Sequence, residues 1–203
     1  MTTPTGQRRR VRATDSKEKL FEAAMQLLGS RSPESVSVDE IAAAAGVSKG
    51  TVYYNFGSKD ELVSQILSYG AHKLMGELAR AASGEDPYLA LRQMVEFSMD
   101  FVASYPSFAH LWMQEQLSAD TATAFASTPL HTQVTGLIIE VLERLVVLEP
   151  DQKLSVATSI FGAALFTARM RASGQTGLDR GQTVRAVLLT VDGLRATRPA
   201  AGS

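Results

Sequence analysis

The stretch VDEIAAAAGVSKGTVYYNFGSKDELV runs from Val38 to Val63 and holds the start signals of three successive helices. Ser37 with Glu40 has the spacing of a capping box in front of a helix over Val38–Ala45. Gly46 ends that helix with the backbone freedom a tight turn needs, and Val47 follows to plug the angle. Ser48 is the natural N-cap of a second short helix, Lys49 to about Asn55. Gly57 breaks the chain again, and Ser58 with Glu61 repeats the box at the start of a helix that continues to about Ala82. Ala42 and Ala45 allow close approach, while Ile41 and Val52 face a shared core. Two short capped helices joined across AGVSKGT are the parts of a helix-turn-helix.

In that motif the second helix is the one that enters a DNA major groove. Its outward positions have suitable chemistry: Ser48, Lys49, Thr51, Tyr53, Tyr54 and Asn55 all form hydrogen bonds, and Lys49 is cationic. Gly50 removes a side chain where backbone can approach a phosphate or base. Lys59 and the amides of the helix opened at Ser58 can take a further phosphate.

The run Val38–Val63 resembles the DNA-binding signature of TetR-type repressors: Ile-Ala and Ala-Gly-Val, then Ser-x-Gly-Thr, Tyr-x-x-Phe and Ser-Lys-x-x-Leu. The resemblance covers about 45 residues from the first helix onward. By it, Lys49, Gly50, Thr51 and Tyr54 match positions that meet bases or nearby backbone. Ser37, Tyr53 and Lys59 match positions that hold phosphates, and Phe56 matches the aromatic that packs the small domain. The family often has His before that Phe; here it is Asn55, which can still donate to a phosphate.

Upstream, Leu20, Phe21, Ala24, Met25, Leu27 and Leu28 form one stripe of a helix over Asp15–Ser30. Downstream, helices are expected over Pro87–Ser104, Pro106–Ser118, His131–Leu148, Pro150–Ala172 and Asp179–Thr197, with an irregular Ala119–Pro129. The expected fold is all-α with about nine helices. Residues 1–13 read as a flexible basic arm, 14–60 as the helix-turn-helix domain, 61–197 as a ligand-binding and dimerisation domain, and 198–203 as a disordered tail.

Charge is distributed to match. The 203-residue chain has a net charge of −1. Residues 1–14 carry Arg8, Arg9, Arg10 and Arg12 without an acid, so a mildly basic head sits on an acidic body. The RRRVR run suits a minor groove or a line of phosphates as well as a solvated terminus. With no cysteine, disulfides and thiolate metal sites are excluded, in keeping with a reducing cytoplasm. No apolar run is long enough to span a membrane, and no signal peptide is evident. His72, His110 and His131 are far apart, and there is no nucleophile elbow or phosphate loop, so an enzyme is not expected; neither is a metal or cofactor.

The resemblance implies a homodimer whose C-terminal half senses a ligand. Val156, Ile160 and Ala164 on one helix and Val184, Val187, Leu188 and Val191 on the next are the candidate dimer residues. Phe97, Phe101, Phe108, Trp112, Met113, Phe161 and Leu165 are candidates to line an apolar effector site, although such stripes also serve as ordinary core. Asp100, Glu115 and Arg169 are candidate polar anchors. The function expected is a cytoplasmic repressor that binds a palindromic operator as a dimer and is released by a small hydrophobic or amphipathic effector. The alternative is an effector-independent regulator or an activator with the same head.

Overall fold

The computed structural model describes residues 17–28, 35–118, 129–174, 177 and 179–197, with all side chains in the helices except those of residues 55, 114–118 and 129. The expected arm, residues 119–128 of the irregular stretch and the tail lie outside the described residues. The fold is all-α. Nine helices and no strand occur among the described residues. The chain divides into two compact units, Met1–His72 and Lys73–Ser203.

In the first unit, α1 spans residues 17–28 and buries Leu20, Phe21, Ala24 and Met25. The Phe21 ring packs 5.5 Å from that of Tyr69. Helix α2, Val38–Ala44, begins with the full reciprocal capping box: Glu40 N donates to Ser37 Oγ and Ser37 N donates to Glu40 Oε2. It ends in a Schellman motif, in which Gly46 takes φ +65°, its N–H reaches Ala43 O, and the N–H of Val47 reaches Ala42 O at 2.9 Å. Helix α3, Lys49–Phe56, is capped by Ser48 and ends at Gly57 with φ +73°. Val38, Ile41, Ala42, Val52 and Phe56 form the buried seam of these two helices.

Helix α4, Lys59–Ala82, contains the division between the units. In the second unit α5, Pro87–Ser104, starts with Pro87 at its first position and the Asp86 carboxylate accepting from Tyr88 N and Leu89 N. It is followed by α6, Pro106–Ser118, α7, Pro129–Leu142, α8, Pro150–Ala172, and α9, Arg180–Thr197. Helix α5 packs on α6, α7, α8 and α9, and α8 packs on α5, α6, α7 and α9, so these two form the centre of the unit. Asp179 and Gln182 cap α9 reciprocally, at 2.7 and 3.1 Å.

One expected boundary needs correction. The helix read as His131–Leu148 is α7, which begins at Pro129 and ends at Leu142. The chain turns there because the Arg144 guanidinium donates to Ala82 O, Gly84 O and Glu85 O, which would otherwise be orphan acceptors at the C-terminus of α4. Leu145, Val146 and Leu148 are buried from a non-helical segment, so their apolar pattern imitates a longer helix.

Candidate functional site

The α2–α3 pair divides its residues cleanly. Val52 and Phe56 point into the seam, while Tyr53 and Tyr54 between them are left outside, 44% and 88% exposed. Ser48 and Thr51 are also exposed, and their hydroxyls lie 2.7 Å apart, with the amide of Thr51 bound to Ser48 Oγ. A Cβ added at Gly50 would meet no atom within 4 Å. Lys49 is held from two sides. Its Nζ is 2.5 Å from Asp39 Oδ2 on α2 and 5.7 Å from the centre of the Tyr53 ring. The hydrogen bond to the Asp39 carboxylate, followed by its charge, raises the Lys49 pKa above the ordinary lysine value. Ser37 sits at the head of α2 with its hydroxyl engaged by Glu40. Asn55 lies in α3, with its side chain outside the described atoms. Lys59 is half-buried at the first position of α4. Chemically, the outer face of α3 offers hydroxyl, phenol and ammonium groups around an unobstructed backbone position.

The second unit holds an apolar cavity with only about 20 Å³ of free space. Its wall comes from Leu78 of α4, Leu91, Met94, Val95 and Ser98 of α5, Val134 and Ile138 of α7, and Ile160, Phe161 and Ala164 of α8. Ser98 is the polar exception, and its hydroxyl donates to Met94 O at 2.9 Å. Behind Phe161 lie Trp112, at 6.1 Å between ring centres, and His131, at 5.3 Å, both edge-on.

Residues 20–66, which span α1 to α4, match the family described as bacterial regulatory proteins of the tetR family. This segment is therefore similar to the DNA-binding part of the tetR family. The repressor KstR2 of Rhodococcus jostii is 30% identical over 128 residues, covering 62% of each chain. The regulator TtgR of Pseudomonas putida is 33% identical over 79 residues, 37% of its length, so the chain spans less than two thirds of these relatives. Among solved structures, the fatty acid degradation regulator FadR of Bacillus halodurans superposes with a TM-score of 0.70 at 20% identity, covering 88% of this chain and 99% of that one. That likeness is one of fold.

In the second unit the candidates are dispersed. Of the seven residues expected around an effector, Phe161 lines the cavity. Trp112 is buried behind Phe161, Phe108 is buried against the ring of Phe101, and Phe101, Met113 and Leu165 are half-buried. Phe97 is 40% exposed. Leu91 and Val95 of α5 and Val134 and Ile138 of α7 also line the cavity and are not among the expected residues. Their only signal is helical spacing, which aliphatic core residues share. Of the polar candidates, Asp100 accepts from Nε and Nη2 of Arg180, each at 2.7 Å, and Arg169 lies 3.4 Å from His110 Nδ1. The Glu115 side chain lies outside the described atoms.

The candidate dimer residues Ile160, Ala164, Val184, Val187, Leu188 and Val191 are buried inside the chain itself, and Val156 is half-buried. The opposite faces of the same helices are exposed. On α8 that face carries Ser155, Ser159, Gly162 and Phe166; on α9 it carries Gln182, Ala186, Leu189 and Gly193. Both follow an i, i+4, i+7, i+11 spacing. Phe166 and Leu189 are the large apolar side chains on these faces, 61% and 68% exposed.

Proposed function

We propose that the chain is a cytoplasmic, ligand-responsive transcriptional repressor that binds a two-fold operator as a homodimer. The observation that carries this reading is the outer face of α3, where Lys49, Thr51, Tyr53 and Tyr54 stand exposed around Gly50. Lysine suits the O6 and N7 acceptors of guanine or a phosphate, and the hydroxyls suit either bases or backbone. A dimer sets two such helices about 34–36 Å apart, in successive major grooves.

For the dimer surface we take the exposed faces of α8 and α9. Small residues around Phe166 and Leu189 let helices of two copies approach closely, and pairing removes two large apolar side chains from water. The effector is small and apolar or amphipathic, in keeping with the aliphatic cavity wall. FadR and the fatty acid metabolism regulator of Clostridium perfringens, whose folds are similar, point the ligand search toward acyl chains first. Helix α4 contributes Leu78 to the cavity wall and Lys59 near α3, so displacement of one end is carried along a continuous helix. A coupling of about 1–3 kcal/mol lowers DNA affinity roughly 5–150-fold.

The test is a salt titration of the full chain against duplexes selected from a random library, with a Lys49→Ala, Tyr54→Ala variant alongside. Binding that weakens steeply with salt and falls at least tenfold in the variant is the expected outcome. Equal binding by both proteins, or none by either, rejects the reading. The small free volume of the cavity favours a second reading, a regulator without effector. It predicts operator affinity indifferent to every acyl or aromatic ligand screened.

A further inference from the structure

Asp39 stands out because it places a carboxylate beside the face of α3 assigned to anionic DNA. It is exposed and sits in the first turn of α2, where an acid also complements the helix dipole. Its partner, however, is ten residues away on the other helix: Asp39 Oδ2 accepts from Lys49 Nζ at 2.5 Å. The neighbouring acid Glu40 is engaged with the amide and hydroxyl of Ser37. The Tyr53 ring lies 5.7 Å from the same ammonium, so Lys49 has one direction fixed by the carboxylate and another by the ring. An ammonium has three N–H donors. With one on Asp39, two remain for DNA, and the net charge of the pair is zero.

We propose that Asp39 is a specificity-determining residue, which neutralises Lys49 against indiscriminate phosphate contacts and aims its remaining donors at a base edge. This rests on the DNA-binding reading of α3. Non-specific association is driven by charge and released counterions, so a cation carrying its own counterion contributes little to it. Base recognition depends on donor direction, which the carboxylate and the ring supply.

The experiment compares the full chain with Asp39→Asn on two duplexes, a site selected by the wild-type protein from a random library and a shuffled version of it, each across a salt series. Asp39→Asn should bind the shuffled duplex up to about fivefold more tightly, the range open to an exposed ion pair. Its log affinity should fall more steeply with log salt, by up to about 0.9 in slope. Preference for the selected site should drop at least twofold, Asp39→Glu should recover much of it, and Asp39→Asn should have no such effect in a Lys49→Ala background. Unchanged shuffled-duplex affinity and slope would overturn the proposal. So would an equal gain on both duplexes, or an effect that persists without Lys49. Parallel loss on both duplexes with a lowered melting temperature would mean that Asp39 serves α2 alone. If the wild-type chain binds no duplex, the reading of α3 fails and the proposal falls with it; if it binds but selects no sequence, the proposal alone falls.

Discussion

A Cβ built on Gly50 has open space around it, so nothing inside the chain requires glycine there. Gly50→Ala should raise thermal stability by about 0.5–1 kcal/mol, since glycine inside a helix is unfavourable. If backbone at this position approaches DNA, the same variant should lose at least tenfold in affinity, so melting and DNA titration would move in opposite directions. Retained affinity would show that position 50 faces no DNA. Gly46 behaves differently. Its φ of +65° is the turn itself, and Gly46→Ala should cost about 1–2 kcal/mol, read as a lowered unfolding midpoint. Both glycines are visible in the sequence, but only backbone dihedrals separate a residue required by folding from one left free for binding. The caps were more legible. Ser37 with Glu40, Ser48, and Asp179 with Gln182 bond as their spacing implies, because capping is a local interaction that needs no tertiary partner.

Capped helix starts follow from such local signals, whereas the end of α7 does not. The stop at Leu142 comes from Arg144 reaching carbonyls some sixty residues earlier in the chain, and no local pattern announces such a bond. Arg144→Ala should cost about 1–2 kcal/mol, given that its hydrogen bonds are charge-assisted but partly exposed. A melt unchanged by the substitution would place the stop elsewhere. Helices α5 and α9 are tied at both ends: Arg180 reaches Asp100 and Glu96, and the Arg195 guanidinium lies 4.7 Å from the centre of the Tyr88 ring. Burial, then the Asp192 hydrogen bond, raises the Tyr88 pKa above its ordinary 10.0. A raised folded-state pKa favours the protonated form, so this contribution is present below pH 10 and is lost as pH rises through the folded value. Alkaline melts should show a loss above pH 10 that is smaller in Tyr88→Phe; an identical loss would remove Tyr88 as its source. The faces of α8 and α9 show another limit of periodicity. Each helix has a buried apolar stripe and an exposed one of small residues around Phe166 or Leu189, and spacing alone picks out the first.

Over the whole molecule, assembly and ligand response are the quantities to measure. Phe166→Glu with Leu189→Glu should convert the proposed dimer to a monomer in sedimentation, with helical content retained. A dimer that survives would put the interface on another surface. The single tryptophan, Trp112, lies behind the cavity residue Phe161 and reports on it. An effector should shift its emission, and an acyl or aromatic ligand that releases DNA without doing so would bind elsewhere. Aromatic candidates such as Phe97 were chosen for their chemistry and proved scattered, because which face of α5 turns inward is settled by α7 and α8 rather than by α5 itself. The cavity has one further consequence. About 20 Å³ accommodates roughly one water, whereas ligand sites occupy roughly 300–1,000 Å³, so the proposed effector would first have to part α5, α7 and α8. The apparent affinity is then the intrinsic one reduced by the fraction of molecules already open. The concentration at which genes switch would be set by how easily the aliphatic wall yields. Trimming a wall residue such as Ile138 to Val would move the whole dose–response curve to lower ligand while every contact with DNA stayed as it was.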